Sequence, residues 1–294
     1  MTDGAAFTLK NSKDPELQEA FKRLTSRENM WTSGQWMTEK KGGSDVSNTE
    51  TLAIQTESGE YNLYGYKWFT SATDSQMTLA LGKIIPGDRR PTQQELDKTK
   101  VSMFFAKLRD DEGTLNRMEI IRLKDKLGTQ QLPTAELLLK GTKAKLVGQA
   151  EQGVKNISKM LLVTRMYNSA TAVGIMRRVI SLSRDYSSRR TIGKAKLSDM
   201  PLQLRVLSHM EVTHRANLMF YISIGLLFTK EQAGTISDDE KNTLRVFSPI
   251  LKLFTGKQVL EVCTEGLESF GGMGFIEGTM LPTLLRDAQV LSIW

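Results

Sequence analysis

The sequence predicts an α+β fold: an antiparallel, barrel-like β domain followed by a four-helix-bundle-type domain. Three observations lead there. Between residues 31 and 150, short apolar or alternating runs recur between turn-rich stretches. From residue 151 onward the apolar period changes to 3.6 over long segments. The links between the short runs are too brief for the crossover helices of a parallel sheet, and they suit a meander or barrel.

Residues 1–30 hold one short helical candidate, Pro15 to Leu24, of a length marginal for an independent helix. This stretch reads as a remnant of a larger helical domain. In residues 31–150, Thr51 to Thr56 and Tyr61 to Thr70 flank the turn signal Glu57-Ser58-Gly59-Glu60, which predicts a hairpin. Met77 to Ile84, Val101 to Leu108, Met118 to Arg122 and Thr134 to Leu139 are the further strands, with Pro86-Gly87-Asp88 among the turns. In residues 151–294, Val154 to Tyr186, Leu202 to Lys230 and Asp238 to Phe270 predict long helices, the third interrupted by Pro249. Pro282 to Trp294 predicts a shorter helix with its proline at the start, where a missing N–H costs nothing.

An apolar share of 39% with 25% charged residues fits a folded globular chain and argues against general disorder. No apolar run reaches the eighteen or so residues of a membrane span. The longest, Leu218 to Phe228, is broken by Ser223 and predicts a buried helix. Met1 to Asp14 carries no secretory signal pattern. The single cysteine, Cys263, excludes an internal disulfide and fits a reducing compartment; an intracellular location, mitochondrial or cytoplasmic, is the expectation, although no residue of the sequence specifies the organelle. Its apolar neighbours Val259, Leu260, Val262 and Leu267 predict a buried structural thiol.

The net charge of +7 leaves room for an anionic ligand. Arg177, Arg178, Arg184, Arg189, Arg190, Lys194 and Lys196 form the densest basic stretch. It is either a solvated helix face or a phosphate site, for a nucleotide cofactor or a nucleic acid, and charge does not separate these. Metal chemistry is excluded on the histidines: His209 and His214 stand five apart, about 140° around a helix. No glycine-rich fingerprint follows a strand and opens a helix. Gly271-Gly272-Met273-Gly274 follows a helix and by itself is a helix stop. In Met37-Thr38-Glu39-Lys40-Lys41-Gly42-Gly43-Ser44-Asp45, paired glycines beside hydroxyls can admit an anion or simply make a polar turn. Tyr66-Lys67-Trp68-Phe69-Thr70-Ser71 ends an aromatic strand in two hydroxyls, and a core-facing tryptophan is its plainer reading.

Taken in order, these segments resemble the acyl-CoA dehydrogenase family. Thr38-Glu39 with Gly43-Ser44-Asp45 resembles its T-E-x-x-x-G-S-D loop, and Tyr66 to Ser71 its G-x-K-x-W-I-T-N strand. Lys126-Leu127-Gly128-Thr129 with Pro133 to Glu136, Thr164-Arg165 with Ala172-Val173-Gly174, and Arg189 to Lys194 match later segments. Phe270 to Phe275 and Leu285-Arg286-Asp287-Ala288 match the closing ones. Lys67-Trp68-Phe69, Met176-Arg177-Arg178 and the turn Glu277 to Pro282 resemble the AidB-like branch. Met1 to Ala6 resembles an interior stretch of that branch, so a chain truncated at both ends, lacking most of the N-terminal helical domain, is expected.

The resemblance implies an FAD flavoprotein that removes hydrogens α and β to an acyl-CoA thioester, as a homotetramer in fatty acid metabolism, with hydride passing to flavin N5. Thr38 and Thr70 would hydrogen-bond the isoalloxazine with Ser71 beside them, Trp68 would wall the ring, and Met37 and Phe69 belong to the same set. Ser44 would meet the cofactor pyrophosphate or the phosphate arm of the substrate, and Arg165 the CoA portion. Arg189 and Thr191 would reach cofactor phosphates across a subunit interface, and Gly271 and Gly272 would lie near the adenosine. Two positions depart from the pattern, Gln130 for an arginine and Glu268 for a glutamine. The catalytic glutamate of the family would follow Ile293-Trp294, and its rarer seat is Thr164, so no catalytic residue is assigned. A flavoprotein that sequesters acyl-CoA or binds DNA, without turnover, is the alternative.

Overall fold

The computed structural model describes residues 1–87 and 91–294. The chain forms two compact units, Met1–Asp125 with Gln130–Thr164, and Lys126–Thr129 with Arg165–Trp294.

The first unit opens with two helices, α1 (Thr2–Leu9) and α2 (Pro15–Thr25). Helix α2 starts where expected: the Asp14 carboxylate accepts from the N–H groups of Glu16 and Leu17, and Pro15 fills the first turn. Helix α1 was not expected, because its buried face is made of Gly4, Ala5, Ala6 and Leu9, small residues with little periodic contrast. Both helices pack into the β core. Ala5, Leu9, Leu17, Ala20 and Leu24 share one cluster with Met77, Leu79, Leu81, Met103 and Phe105.

The strands are β1 (Ser33–Trp36), β2 (Leu52–Gln55), β3 (Tyr61–Ser71), β4 (Met77–Ile85), β5 (Val101–Lys107), β6 (Met118–Leu123) and β7 (Thr134–Leu146). A short helix, α3 (Gln93–Lys98), precedes β5 and is closed by a reciprocal Thr92–Glu95 capping box. The turn signal at Pro86-Gly87-Asp88 ends outside the described residues. Strand pairing runs β4–β2–β3–β7–β5 and back to β4, which closes a barrel-like circuit, while β6 adds to β7.

The expectation of purely antiparallel pairing needs correction. Strand β4 pairs parallel with β1, through Ser33↔Met77 to Trp36↔Ala80, and parallel with β2, through Leu52↔Lys83 to Ile54↔Ile85. No crossover helix is needed because β3 itself makes the return between β2 and β4. Strands β1 and β2 thus lie end to end along one edge of β4, and the segment between them leaves the barrel as a loop.

The second unit contains most of α4 (Gly153–Arg189), then a two-stranded hairpin, β8 (Thr191–Ile192) with β9 (Ala195–Lys196). Helices α5 (Pro201–Ala233), α6 (Asp238–Ser269) and α7 (Leu281–Ile293) complete it. Its core joins Met176, Val179 and Ile180 to Met210, Val259, Val262, Ala288 and Leu291. Cys263 is fully buried there, and burial pushes its thiol up to about 12.

Two helix expectations fail. Pro249 does not interrupt α6, which runs through it. The site is exposed, so a carbonyl deprived of its N–H partner can face water. The apolar stretch Leu218 to Phe228 is helical but largely not buried: among its apolar residues Ile224 alone is buried, while Met219 (70% exposed), Ile222 and Leu226 face outward. Helical period shows where the apolar residues lie but not which of two apolar faces finds a partner within the chain.

Candidate functional site

The loop between β1 and β2 is anchored by one carboxylate. Glu39, buried, accepts from Lys67 Nζ at 2.7 Å, from Thr51 Oγ1 at 2.6 Å, and from the backbone N–H groups of Glu50 at 2.6 Å and Thr51 at 3.3 Å. Burial pushes this carboxyl up, but the Lys67 charge and these hydrogen bonds outweigh it and hold it below its ordinary value. Lys67 is fully buried and also donates to the Leu81 carbonyl of β4 at 2.9 Å. Glu39 and Lys67 therefore tie the loop to β2, β3 and β4 together.

Beside this anchor β3 changes partner. The register with β7 pairs Lys67 with Leu137 and then Thr70 with Ala135, so one residue is extra on β3 and Trp68-Phe69 form a bulge. The Trp68 N–H donates instead to the Thr38 carbonyl at 2.9 Å. Trp68 is only half-buried and Phe69 is 51% exposed, so this tryptophan is not the core-facing residue of the plainer reading. Bulges re-aim side chains, and this one turns two aromatic rings outward next to the loop.

Thr38 is half-buried, and among the described residues its hydroxyl has no hydrogen-bond partner. A Cβ on Gly43 would stand 2.7 Å from that hydroxyl, so only glycine leaves room there. Met37 is buried and Ser44 exposed. Thr70 is buried and donates to the Ala135 carbonyl at 2.6 Å; Ser71 and Thr134 share a hydrogen bond of 2.8 Å. The Thr70 hydroxyl is thus committed within the sheet. A free hydroxyl, outward aromatic faces and a glycine-only approach fit a flat aromatic ring with polar edges, as a flavin is. Past the far end of the loop, Ser47 and Asn48 border a cleft of about 610 Å³ that is also lined by Lys83, Asp97, Lys100 and Lys155.

The second unit holds the remaining residues singled out in the sequence. Arg189 is exposed at the end of α4 and paired with Asp185, and Thr191 is exposed on the adjoining hairpin. Arg177 and Arg184 are held by Glu211, so part of the basic stretch is internally neutralised; Arg178, Arg190, Lys194 and Lys196 are exposed. Gly271 takes φ +58° after Phe270, the left-handed stop expected of a glycine there. Gly272 faces open space, whereas a Cβ on Gly274 would meet the Leu267 carbonyl at 2.0 Å. Half-buried Arg165 lies close enough to Lys252 to depress its ammonium, second to the effect of burial.

Sequence reasoning passed over the buried Glu39–Lys67 pair and a cluster around Glu136. The signal for the first was readable: Lys67 stands at the inward parity of β3, in step with Tyr61 and Leu63.

Two family descriptions match this chain: Acyl-CoA dehydrogenase, middle domain, over residues 34–142, and Acyl-CoA dehydrogenase, C-terminal domain, over residues 151–294. Acyl-CoA dehydrogenase family member 11 of Caenorhabditis elegans is 46% identical over 301 residues, covering 100% of this chain and 48% of the relative. Putative acyl-CoA dehydrogenase AidB of Escherichia coli is 33% identical over 263 residues, covering 89% and 45%. The crystal structure of C. elegans ACDH-11 in complex with C11-CoA superposes with a TM-score of 0.93 at 45% identity, covering 100% of this chain and 50% of that one. Butyryl-CoA dehydrogenase of Megasphaera elsdenii shares the fold, with a TM-score of 0.82 at 21% identity over 98% of this chain and 70% of that one. This chain spans about half the length of the two curated relatives named. A barrel-like β unit joined to a helical unit, both matched in order, means that the chain belongs to the acyl-CoA dehydrogenase family.

Proposed function

We propose that this chain supplies the flavin- and thioester-binding surfaces of an FAD-dependent acyl-CoA dehydrogenase-type oxidoreductase of the AidB-like branch. The observation that carries the reading is the bulge at Trp68-Phe69, held against Thr38 by the Trp68 N–H and flanked by the glycine-only position Gly43. Members of the family are FAD-dependent, and the ACDH-11 relative was crystallised with C11-CoA. When bound, FAD supplies the hydride acceptor for α,β-dehydrogenation of a thioester.

The residues divide the work by chemistry. Trp68 and Phe69 offer ring faces, with Met37 beneath the loop; the Thr38 hydroxyl and the Thr70–Ser71 edge offer polar contacts to a ring. Ser44 and Arg165 suit the phosphate-bearing arm of CoA. Arg189 and Thr191 suit cofactor phosphates, since arginine recognises phosphate in a bidentate manner, and open-faced Gly271 and Gly272 admit close approach near the adenosine. Thr164 offers no carboxylate, and no side chain of the sequence is assigned as the base.

The exposed apolar residues Val212, Met219 and Leu226 of α5 recur every seven positions, and Phe220 packs edge-on against Phe247 and Phe254 of α6. This outward face supports association with further copies of the chain, as a homotetramer. Purified protein tests the reading. Folded protein that takes up about one FAD per chain and bleaches its flavin absorbance with an acyl-CoA supports dehydrogenation. Uptake of FAD and acyl-CoA without bleaching supports sequestration, and folded protein that binds no FAD refutes both.

A further inference from the structure

Glu136 gathers three donors around a carboxylate with almost no solvent exposure. Arg122 Nε lies at 2.8 Å and Lys124 Nζ at 2.5 Å from one oxygen, and the Tyr66 hydroxyl donates to the other. Burial pushes this carboxyl up, yet the bonds from Lys124, Tyr66 and Arg122 prevail and hold it at about 2. The two cations exceed the one anion, so the cluster keeps a net positive charge. That surplus is aimed: Lys124 Nζ stands 3.2 Å from the centroid of the Trp68 ring and 4.9 Å from that of Phe69. Lys40 Nζ adds a second cation, 5.5 Å from Trp68 and 5.1 Å from Tyr66. The Lys124 side chain is nearly buried, where a cation over an aromatic face is worth more than at an exposed site.

We propose that Lys124, clamped by Glu136, is a positioning residue: it fixes the plane of Trp68 and places a positive charge beside the ring-binding face. The charge half rests on the flavin reading above. A ring that accepts hydride gains negative charge, so a fixed cation nearby favours its reduced form.

The test compares wild-type full chain with Lys124→Met, Lys124→Arg and, as a reference, Trp68→Phe. Without cofactor, Lys124→Met loses the part of the near-UV indole circular dichroism that Trp68→Phe also loses, and Lys124→Arg keeps it. With FAD, Lys124→Met binds reduced over oxidised flavin about tenfold less selectively, a drop of roughly 30 mV for a two-electron couple, and Lys124→Arg restores the wild-type potential. An unchanged indole band in Lys124→Met overturns the clamp whether or not FAD binds. A changed band with an unchanged potential overturns the charge half. Wild-type protein that binds no FAD overturns the flavin reading and the charge half with it, while the cofactor-free spectra still decide the clamp.

Discussion

Replacing Lys67 by methionine removes one member of the buried Glu39–Lys67 pair while nearly preserving side-chain length. Glu39 is then left with hydrogen bonds from Thr51 and Glu50 but with no counter-charge, in a site with almost no solvent exposure. Breaking a buried pair from one side typically costs about 3–5 kcal/mol, because the remaining charge is uncompensated. The Leu81 carbonyl also loses its Lys67 donor, which favours the upper end of that range. At roughly 2–4 °C per kcal/mol for a unit of this size, the β unit should melt some 6–20 °C earlier. Thermal melts followed by tryptophan emission measure the shift and urea denaturation the free-energy loss, since Trp31, Trp36 and Trp68 all lie in that unit. The double variant Lys67→Met with Glu39→Gln removes the stranded charge and should recover part of the loss. A Lys67→Met protein within about 1 kcal/mol of wild type, or a double variant less stable than the single one, would refute a charge-compensated anchor.

Acid stability follows from Glu136 and Glu39. Both carboxyls are depressed in the folded state, Glu136 from 4.5 to about 2, so their stabilisation is present above about pH 4.5 and fades as pH falls through about 2. Urea midpoints should therefore drop over that window, and less steeply in Glu136→Gln. Gly274→Ala forces a Cβ onto the Leu267 carbonyl and should destabilise the helical unit by about 3 kcal/mol, whereas Gly272→Ala, open to solvent, should stay within ~0.5 kcal/mol; thermal melts of both separate packing from ligand approach. Cys263, held as a thiol, should resist a disulfide reagent at pH 8 in native protein and react promptly in denaturant.

The elements legible in the sequence are those whose period is long. Helices α4, α5 and α6 extend over about nine to ten turns each, and their ends match the expected segments closely. Helix α1 escaped because Gly4, Ala5 and Ala6 bury small side chains, and α3 because Thr92 and Glu95 cap only a turn and a half. The parallel place of β1 beside β4 depends on pairing between residues 44 apart, Ser33 with Met77, which no local pattern encodes. At the site, Thr38, Trp68 and Phe69 were visible as a motif, and the structure brings the loop and strand together through the Trp68 N–H. The bulge that turns the aromatics outward was not visible, because it arises from a register slip against β7. Glu136 appeared only as part of a segment, since its partners come from β3 and β6.

The end-to-end alignment of β1 and β2 on β4 also separates two evolutionary constraints. Glu39 bonds to the backbone of Glu50 and Thr51, so the loop is cinched at its neck, and beyond the knot residues 40–45 are exposed while Val46 and Thr49 fold back onto the unit. Within that span Gly43 is fixed by Thr38, and Val46 and Thr49 by inward packing, while the exposed positions between them can be exchanged without shifting Trp36 or Thr51 in the barrel. The architecture thus behaves as a socket with a replaceable cassette, in which ligand preference can drift while the scaffold stays under separate selection.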